Sequence, residues 1–222
     1  MKLALIGATG RTGAHALTTA LDRGHDVTVL VRDPERLPAP ARERVRVVVG
    51  DSTEPAVLAA LASGTDAVVS ALGPTGRQPD LHTRTARALV DIMSADGPRR
   101  FVGVSGAGID VPGDRKAGKD KVISWLIRTL GGDVVKDKPA EYAVWAASGL
   151  DWTLVRPPRL VDGPATGRLE HDAHHSTRST QITRADLGAF LVTTIEDDLY
   201  PQKAPFVATA RRGPRRPATA PR

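Results

Sequence analysis

The stretch LALIGATGRTG, residues 3–13, decides the fold of this chain. An apolar run is followed at once by three glycines spaced three apart, Gly7, Gly10 and Gly13. Glycine inside a helix or strand costs about 0.5–1 kcal/mol relative to alanine, so three in one short stretch need a physical reason. The pattern predicts a buried strand, a tight glycine turn and a helix that begins within the glycine motif.

Each glycine has its own use in such a strand–turn–helix unit. Gly7 allows the sharp turn out of the strand, Gly10 lets the backbone approach a diphosphate, and Gly13 lets the helix pack close to the sheet. The free N–H groups of this loop and the positive end of the helix dipole attract phosphate. The residues predicted to bind a dinucleotide here are Gly7, Thr9, Gly10, Arg11, Thr12 and Gly13. The alternative is a glycine-rich turn without a ligand.

Short runs rich in Val, Ile and Leu alternate with helical patterns along the first half of the chain. Strands are predicted at 2–7, 26–31, 44–50, 66–72 and 100–105, and helices at 11–24, 54–64 and 79–97. Near-continuous apolar strands are typical of a parallel sheet covered on both faces, and the alternation implies right-handed crossovers. We therefore predict the α/β class, as a single Rossmann-type, doubly wound, mostly parallel sheet flanked by helices.

The second half of the chain is less regular. Helices are predicted at 116–132, 138–149 and 183–197, and strands at 151–157 and 205–209. We expect Pro139 at the start of the second of these helices and Gly149 at its end. Thr183, with Asp186 three residues later, indicates an N-terminal cap for the last helix. The segment 157–181 is rich in turn residues and is expected to cover the substrate.

The length of 222 residues fits one sizeable domain. We predict an NAD(P)-binding domain over residues 1–210 and a basic Pro/Arg-rich tail over 211–222. The tail holds five of the 31 basic residues and none of the 25 acidic ones, so the remainder carries 26 against 25 and the net charge of +6 comes mostly from the tail. We expect a solvated tail rather than a nucleic-acid-binding one, the alternative being weak binding to a polyanion.

The composition excludes several kinds of protein. The chain has no cysteine, so disulfides, zinc–thiolate sites and cysteine nucleophiles are absent. The longest stretch without Asp, Glu, Lys or Arg is 55–65, and a membrane-spanning helix needs about 20 apolar residues. We expect a cytoplasmic protein with a small-molecule substrate and no membrane partner, and leave its oligomeric state open.

The end of the second strand bears on the choice of cofactor. Arg32 and Asp33 follow the strand at 26–31. An acid at this place holds the ribose 2′-OH of NAD, whereas an arginine suits the 2′-phosphate of NADP. Arg11 in the glycine loop can approach the same phosphate. We expect NADP(H) rather than NAD(H), the alternative being a solvated Arg32 with Asp33 on the ribose.

Two further strand ends supply candidate cofactor residues. Asp51 and Ser52 follow the third strand, where Asp51 can accept from the adenine amino group or stabilise a helix N-terminus. The fourth strand ends in Ala71, Leu72 and Gly73, within a stretch of mostly small residues that leaves room for the nicotinamide ribose. We predict that all five contribute to the cofactor site.

Several motifs together resemble the atypical short-chain dehydrogenase/reductase family, in particular its NmrA-like and biliverdin-IXβ/flavin reductase-like branch. They are GATGRTG, VRDPERL, GDSTEP, SALG, VSGAG and, most specifically, SGLDWTLVRPPRLVDGPATG. The resemblance covers about residues 1–209. It implies a Rossmann domain that usually takes NADP(H), reductase activity in many members, and redox-sensing regulation without catalysis in some. It also implies that Ser105 and Pro157 adjoin the cofactor, that Ser105 is catalytic, and that Arg159 stands where biliverdin-type reductases carry a histidine near the substrate.

The chain departs from the family in its acid–base residues. Most short-chain dehydrogenases use a Tyr-x-x-x-Lys pair, but neither Tyr142 nor Tyr200 has a lysine four residues later. Many atypical relatives have a lysine four residues before a helix glutamate, here Glu141. That position is Asp137, flanked by Lys136 and Lys138. We predict an NADPH-dependent reductase that transfers hydride to a small conjugated acceptor (flavin, quinone or a similar metabolite) without this pair. The alternative is a redox-sensing regulatory protein of NmrA type that binds the cofactor without turnover.

The histidines and tryptophans are expected to be structural. The run EHDAHH, 170–175, could gather ligands for zinc, but it has no helix signal and does not match HExxH, so no metal site is predicted. We expect His82, like His15 and His25, to be an ordinary helix or turn residue. Trp125 and Trp145 are expected in the core or at an interface.

Overall fold

A computed structural model describes residues 1–73, 76–115 and 133–210. For residues 133–136 it describes the backbone alone. The predicted helix at 116–132, with Trp125, and the predicted tail at 211–222 lie outside the described residues.

A six-stranded parallel sheet forms the centre of the protein, in the order β3-β2-β1-β4-β5-β6. Its strands are β1 (Lys2–Ile6), β2 (Asp26–Val31), β3 (Val45–Val49), β4 (Ala67–Ser70), β5 (Arg100–Val104) and β6 (Asp151–Val155). In the register of β1, Leu3 pairs with Val27 on one side and with Ala67 on the other. The strand order reverses between β1 and β4, and ligands of doubly wound sheets bind at this point, beyond the carboxyl ends of the strands. The predicted Rossmann-type fold is confirmed.

Helices cover both faces of the sheet. They are α1 (Arg11–Asp22), α2 (Ala39–Arg42), α3 (Pro55–Ala62), α4 (Leu81–Asp96), α5 (Asp133–Ala147) and α6 (Arg184–Glu196), with a 3₁₀ turn at Pro34–Arg36. Buried residues of α1 and α6 form one apolar cluster, and those of α3, α4 and α5 form another. No helix in the described ranges is long and apolar enough to cross a membrane.

The strands divide their side chains between these two clusters. In β1, Leu3 and Leu5 belong to the α1/α6 side, whereas Ala4 and Ile6 belong to the other side. This alternation is the period of two that a pleated strand imposes, with both faces apolar because both are covered. Trp145 is fully buried and stacks on Phe101 with ring centroids 3.8 Å apart, as expected for a core position.

The boundary predicted for α5 is wrong at its beginning. The helix starts at Asp133, so Pro139 lies inside it rather than in its first turn. A proline at this place has no N–H to donate, and the carbonyl of residue 135 loses its helical partner. The signals at Gly149 and Thr183 are confirmed. Gly149 follows the end of α5 with a φ of 66°, and the Thr183 side chain accepts from the backbone N–H of Asp186.

The turn-rich segment 157–181 contains more strand than the sequence indicates. It holds β7 (Arg159–Val161) and β8 (Leu169–Asp172), and β9 (Gln181–Thr183) begins at its end. The first pairs with the third in parallel, and β8 pairs antiparallel with β10 (Phe206–Thr209), the strand predicted at 205–209. Strands of three or four residues are too short to show a period of two, and their partners are distant in sequence, which explains why the pattern missed them.

We predict that Gly13→Ala destabilises the protein although alanine favours helices. A Cβ at residue 13 would lie 1.9 Å from the Gly7 carbonyl oxygen, so α1 would have to move off the turn. Overpacking of this kind costs about 1–3 kcal/mol, which urea denaturation measures. Gly106→Ala is the matched control, because a Cβ there meets no atom within 4 Å, and its unfolding free energy should stay within about 0.5 kcal/mol. Equal losses in both variants would contradict the packing argument.

Candidate functional site

A cavity of about 380 Å³ lies at the carboxyl ends of the central strands. It is lined by eleven of the residues predicted for the cofactor, namely Gly7, Thr9, Gly10, Arg11, Thr12, Arg32, Asp51, Ser52, Ala71, Leu72 and Gly73. It is also lined by Arg36, Gln78, Val104, Leu160 and Arg184, which the sequence did not single out. Four predicted residues, Gly13, Ser105, Pro157 and Arg159, are not part of this lining.

The glycine loop forms the floor of this cleft. Gly7 has a φ of 82°, and a Cβ there would lie 2.6 Å from the Ala71 carbonyl oxygen. Gly10 is the N-cap of α1, where no side chain caps the helix and no acid occupies the first turn. Arg11 and Thr12, the first two residues of α1, line the cleft. Uncapped N–H groups at a helix N-terminus suit a phosphate, so this loop fits the diphosphate of a dinucleotide.

Two arginines lie at the β2 side of the cleft. Arg32 follows β2 directly, and Arg36 follows four residues later at the end of the 3₁₀ turn. Asp33 does not line the cleft. Its Oδ1 accepts from the backbone N–H of Glu35 at 3.0 Å and caps the same turn. The four-residue spacing of Arg32 and Arg36 was the signal for Arg36 in the sequence. Only the 3₁₀ turn shows that both side chains line the same cavity.

Asp51 contributes a negative charge to the cleft. Its Oδ1 accepts from the Thr53 hydroxyl at 2.7 Å and from the Thr53 backbone N–H at 2.9 Å. These two hydrogen bonds hold the pKa of Asp51 below its ordinary value, and the charges of Arg32 and Arg84 act in the same direction. Asp51 lies three residues before Glu54, the N-cap of α3. Its carboxylate therefore caps the turn that precedes the helix and not the first turn of the helix itself.

Ser105 carries a buried hydroxyl at the end of β5. Its backbone N–H donates to the Val155 carbonyl at 2.7 Å. Its Oγ is buried and has no hydrogen-bond partner within the described part of the chain. Buried polar atoms normally have partners. Val104, the preceding residue, lines the cleft, whereas Ser105 itself is not part of the lining.

A buried ion pair stands behind the same strand end. Lys138 Nζ donates to Glu141 Oε2 at 2.8 Å and to the Val104 carbonyl at 2.9 Å. The lysine precedes the glutamate by three residues rather than four, which is still one turn of α5. Sequence reasoning named Lys138 only as a neighbour of position 137. The available signal was the i, i+3 spacing of opposite charges on one helix face.

Asp137 turns away from this pair and joins α5 to α4. Its Oδ2 accepts from the His82 backbone N–H at 2.7 Å, and its Oδ1 accepts from the Thr83 backbone N–H at 3.2 Å and from the Thr83 hydroxyl. The carboxylate therefore satisfies N–H groups in the first turn of α4 from a distant part of the sequence. The same Oδ2 lies 3.1 Å from His82 Nδ1.

His82 connects this network to the wall of the cleft. It is a helix residue, as predicted, but it is buried, and its Nε2 lies 3.2 Å from the carbonyl oxygen of Leu72, which lines the cleft. Burial lowers the pKa of His82, and the charge of Lys138 lowers it further, although Glu141, the Leu72 carbonyl and Asp137 oppose the shift. The ring is part of the support behind the cleft rather than an ordinary helix position.

Arg156, in the most specific motif of the chain, is fully buried. Two of its nitrogens donate to the two carboxylate oxygens of Asp114, each at 2.7 Å, and its Nε donates to the Ala204 carbonyl at 2.6 Å. The guanidinium also lies 3.8 Å from the centre of the Phe206 ring. A bidentate buried pair of this kind fixes the loop at 105–115 against β6.

Two predicted site residues that follow β6, Pro157 and Arg159, do not line the cleft. Arg159 is exposed and donates to Gln181 Oε1 at 3.2 Å. The Pro157 carbonyl accepts from the backbone N–H of Ala107 at 3.3 Å. Nothing in the geometry brings Arg159 into the lining of the cleft, so its catalytic role stays a prediction.

The EHDAHH run begins in β8 and has structural contacts. Asp172 Oδ1 accepts from the backbone N–H groups of His175 and His174 at 2.7 and 2.8 Å, and these bonds lower the pKa of Asp172 to about 2. His171 Nδ1 lies 2.6 Å from the Tyr200 hydroxyl. Within the described ranges, no group of three or more His, Asp or Glu residues could hold a metal ion.

Comparison with known families and sequences places the cleft in context. A family model described as NAD(P)H-binding matches residues 7–198. YwnB of Bacillus subtilis, itself uncharacterised, is 35% identical over 108 residues, which are 49% of this chain and 48% of that protein. The chain thus spans about half the length of the curated relatives it matches.

Solved structures share the whole fold at lower identity. ChuY, an anaerobillin reductase from Escherichia coli O157:H7, has a TM-score of 0.76 and 22% identity, with 96% of this chain and 100% of that chain covered. A short-chain dehydrogenase/reductase from Veillonella parvula, in complex with NADP, has a TM-score of 0.78 and 19% identity over 93% and 94% of the two chains. At these identities the likeness is one of fold.

We predict a pH-dependent contribution of His82 to stability. Because its pKa is lowered in the folded protein, the unfolded chain takes up a proton near pH 6.5 before the folded one does. Protonation then favours unfolding, so the contribution present above pH 6.5 is lost as the pH falls, with a slope of at most about 1.4 kcal/mol per pH unit.

Urea denaturation at several pH values between 7.5 and 5.5 measures this slope. The variant His82→Asn should lose stability less steeply on acidification than the wild type, whereas His15→Asn, at an exposed position, should keep the wild-type slope. Parallel profiles for the wild type and His82→Asn would refute the assignment.

Proposed function

Because the chain belongs to the NAD(P)H-binding family, we propose that it is an NADPH-dependent reductase of a small conjugated acceptor. The observation that carries the proposal is the charge of the cleft. Among the residues that the structure describes, four arginines line it, Arg11, Arg32, Arg36 and Arg184, against one acid, Asp51. NADPH carries a diphosphate and a 2′-phosphate, and arginines pair with phosphate oxygens through charge-assisted hydrogen bonds.

The preference for NADPH over NADH rests on the β2 side of the cleft. Arg32 and Arg36 both line it, and the carboxylate that would otherwise hold a ribose hydroxyl, Asp33, caps the adjoining turn. The 2′-phosphate is the group of the cofactor that matches two arginines at this place. The fold neighbour that was crystallised with NADP supports the same choice.

The opposite end of the cleft suits an acceptor without a dedicated acid. NADPH, when bound, supplies the hydride. Leu72, Val104 and Leu160 give this end an apolar lining, and the orphaned Ser105 hydroxyl, one residue beyond Val104, is proposed to donate one hydrogen bond. A conjugated acceptor spreads the incoming charge and takes its proton from water, so it needs less help than a simple ketone, whose developing alkoxide requires a donor in place. The fold neighbour named as an anaerobillin reductase supports a reductase function.

A second candidate is a regulatory protein that binds the cofactor without turnover. The observation in its favour concerns the tyrosines, neither of which lines the cleft. Tyr142 packs edge-on against Trp152, and the Tyr200 hydroxyl contacts His171. The usual acid of the wider family is therefore missing from this place in the described part of the chain.

We predict that the wild type binds NADPH at least about tenfold more tightly than NADH, or about 1.4 kcal/mol. Arg32→Ala and Arg36→Ala should each reduce this gap by weakening NADPH binding while leaving NADH binding nearly unchanged, as calorimetric titration would show. Arg87→Ala, at an exposed position on α4 away from the cleft lining, is the matched control and should keep the full preference. Equal affinities of the wild type for the two cofactors would overturn the assignment.

We also predict measurable NADPH oxidation with flavins or quinones and little with unactivated ketones. Ser105→Ala should lower the rate only in part, because the hydroxyl assists rather than replaces a Tyr/Lys acid, and spectrophotometric assays at 340 nm follow the reaction. Efficient reduction of a simple ketone that Ser105→Ala abolishes would be evidence against this chemistry. Tight NADPH binding with no turnover on any acceptor would favour the regulatory candidate.

A further inference from the structure

One exposed carboxylate lies between two arginines of the cleft. Asp162 follows β7, and its Oδ1 accepts from a terminal nitrogen of Arg184 at 2.7 Å. Its Oδ2 lies 4.0 Å from a terminal nitrogen of Arg11. Each oxygen of the carboxylate therefore faces a different guanidinium, which is how an oxyanion ligand bridges two arginines.

The two arginines occupy equivalent places on two packed helices. Arg11 is the first residue of α1, and Arg184 is the first residue of α6. The helices approach closely, since a Cβ at Gly188 would lie 2.7 Å from the Ala16 backbone nitrogen. The positive ends of two helix dipoles and two guanidinium groups thus meet at one side of the cleft.

The two members of the Asp162–Arg184 pair differ in exposure. The Arg184 side chain is 11% exposed, whereas that of Asp162 is 74% exposed. A buried guanidinium without an anion is strongly unfavourable. Asp162 is the only side chain that pairs with Arg184 within the described ranges. An exposed carboxylate is held weakly, since solvent competes for it, so an anion of higher charge can replace it.

We propose that Arg184 is a ligand of the cofactor diphosphate and that Asp162 occupies its place until the cofactor binds. The proposal rests on the proposed function, because it requires NADPH in the cleft. A diphosphate offers oxygens to Arg11 and Arg184 together, as the carboxylate does, and carries more charge. Arg11 belongs to the glycine loop that fits the diphosphate. A diphosphate that contacts Arg11 is therefore within reach of Arg184 as well.

Fluorescence titration with NADPH, without any acceptor, tests the exchange. Asp162→Asn should tighten NADPH binding two- to fivefold, because the competing charge is gone. Arg184→Gln should weaken it at least fivefold. In the Arg184→Gln background, adding Asp162→Asn should change the affinity less than twofold, since the exchange no longer takes place. An effect of Asp162→Asn that is equal in both backgrounds would show a general field effect and overturn the proposal.

Matched controls separate this exchange from net charge. Asp197→Asn removes an exposed acid at the far end of α6, and Arg178→Ala removes an exposed arginine outside the cleft lining. Both should leave NADPH affinity within twofold of the wild type. Adenosine 2′-monophosphate, which lacks the diphosphate, should bind equally to the wild type, Asp162→Asn and Arg184→Gln; a loss for Arg184→Gln as large as with NADPH would place Arg184 elsewhere and overturn the assignment.

Failure of this inference can be told from failure of the proposed function. If the wild type does not bind NADPH, the proposed function fails. If the wild type binds NADPH and Arg184→Gln binds it equally well, only the role of Arg184 fails. Circular dichroism checks that Arg184→Gln is folded. If it is not, Asp162→Asn decides alone, because its substitution lies at an exposed side chain, and an unchanged affinity in that variant overturns the exchange.

Discussion

The contact between Gly13 and Gly7 is the constraint on which the site depends. The first turn of α1 lies so close to the glycine turn that no side chain fits between them. The same turn packs Gly7 against the backbone of Ala71, so three backbone segments, from β1, α1 and the end of β4, meet without side chains between them. The uncapped helix N-terminus is thereby fixed above the sheet, and the position of the phosphate-binding groups follows from backbone packing rather than from flexible side chains.

Buried charges support the other end of the cleft. Lys138 and Glu141 pair behind Val104, and Asp137 holds the first turn of α4 while His82 contacts the Leu72 carbonyl. Replacing such a network by apolar residues is often neutral or stabilising, so stability alone does not explain it. What the network provides is orientation, because Lys138 and Asp137 each bond a backbone group at or beside the cleft wall. A wall held in this way keeps its backbone groups in fixed positions beside the cleft.

Local patterns in the sequence were sufficient for the sheet, the helices on its two faces and most of the cofactor cleft. Apolar strands and glycine turns are specified within ten or fifteen residues, and their alternation with helices then implies a parallel sheet with right-handed crossovers. Predictions failed where the deciding contact lies far away in sequence. Pro139 suggested a helix start, but α5 begins earlier. Arg184 is distant from the glycine loop along the chain, and only the packing of α6 on α1 brings it to the cleft.

The two sides of the cleft are built differently. The cofactor side is built from the first two-thirds of the sheet and from backbone contacts that tolerate no change. On the β5 side Val104 lines the cleft, and the loops that follow β5 and β6 are joined by the pair between Arg156 and Asp114. This pair joins the two loops without using any residue that lines the cleft. It therefore holds the loops together independently of what the cleft binds.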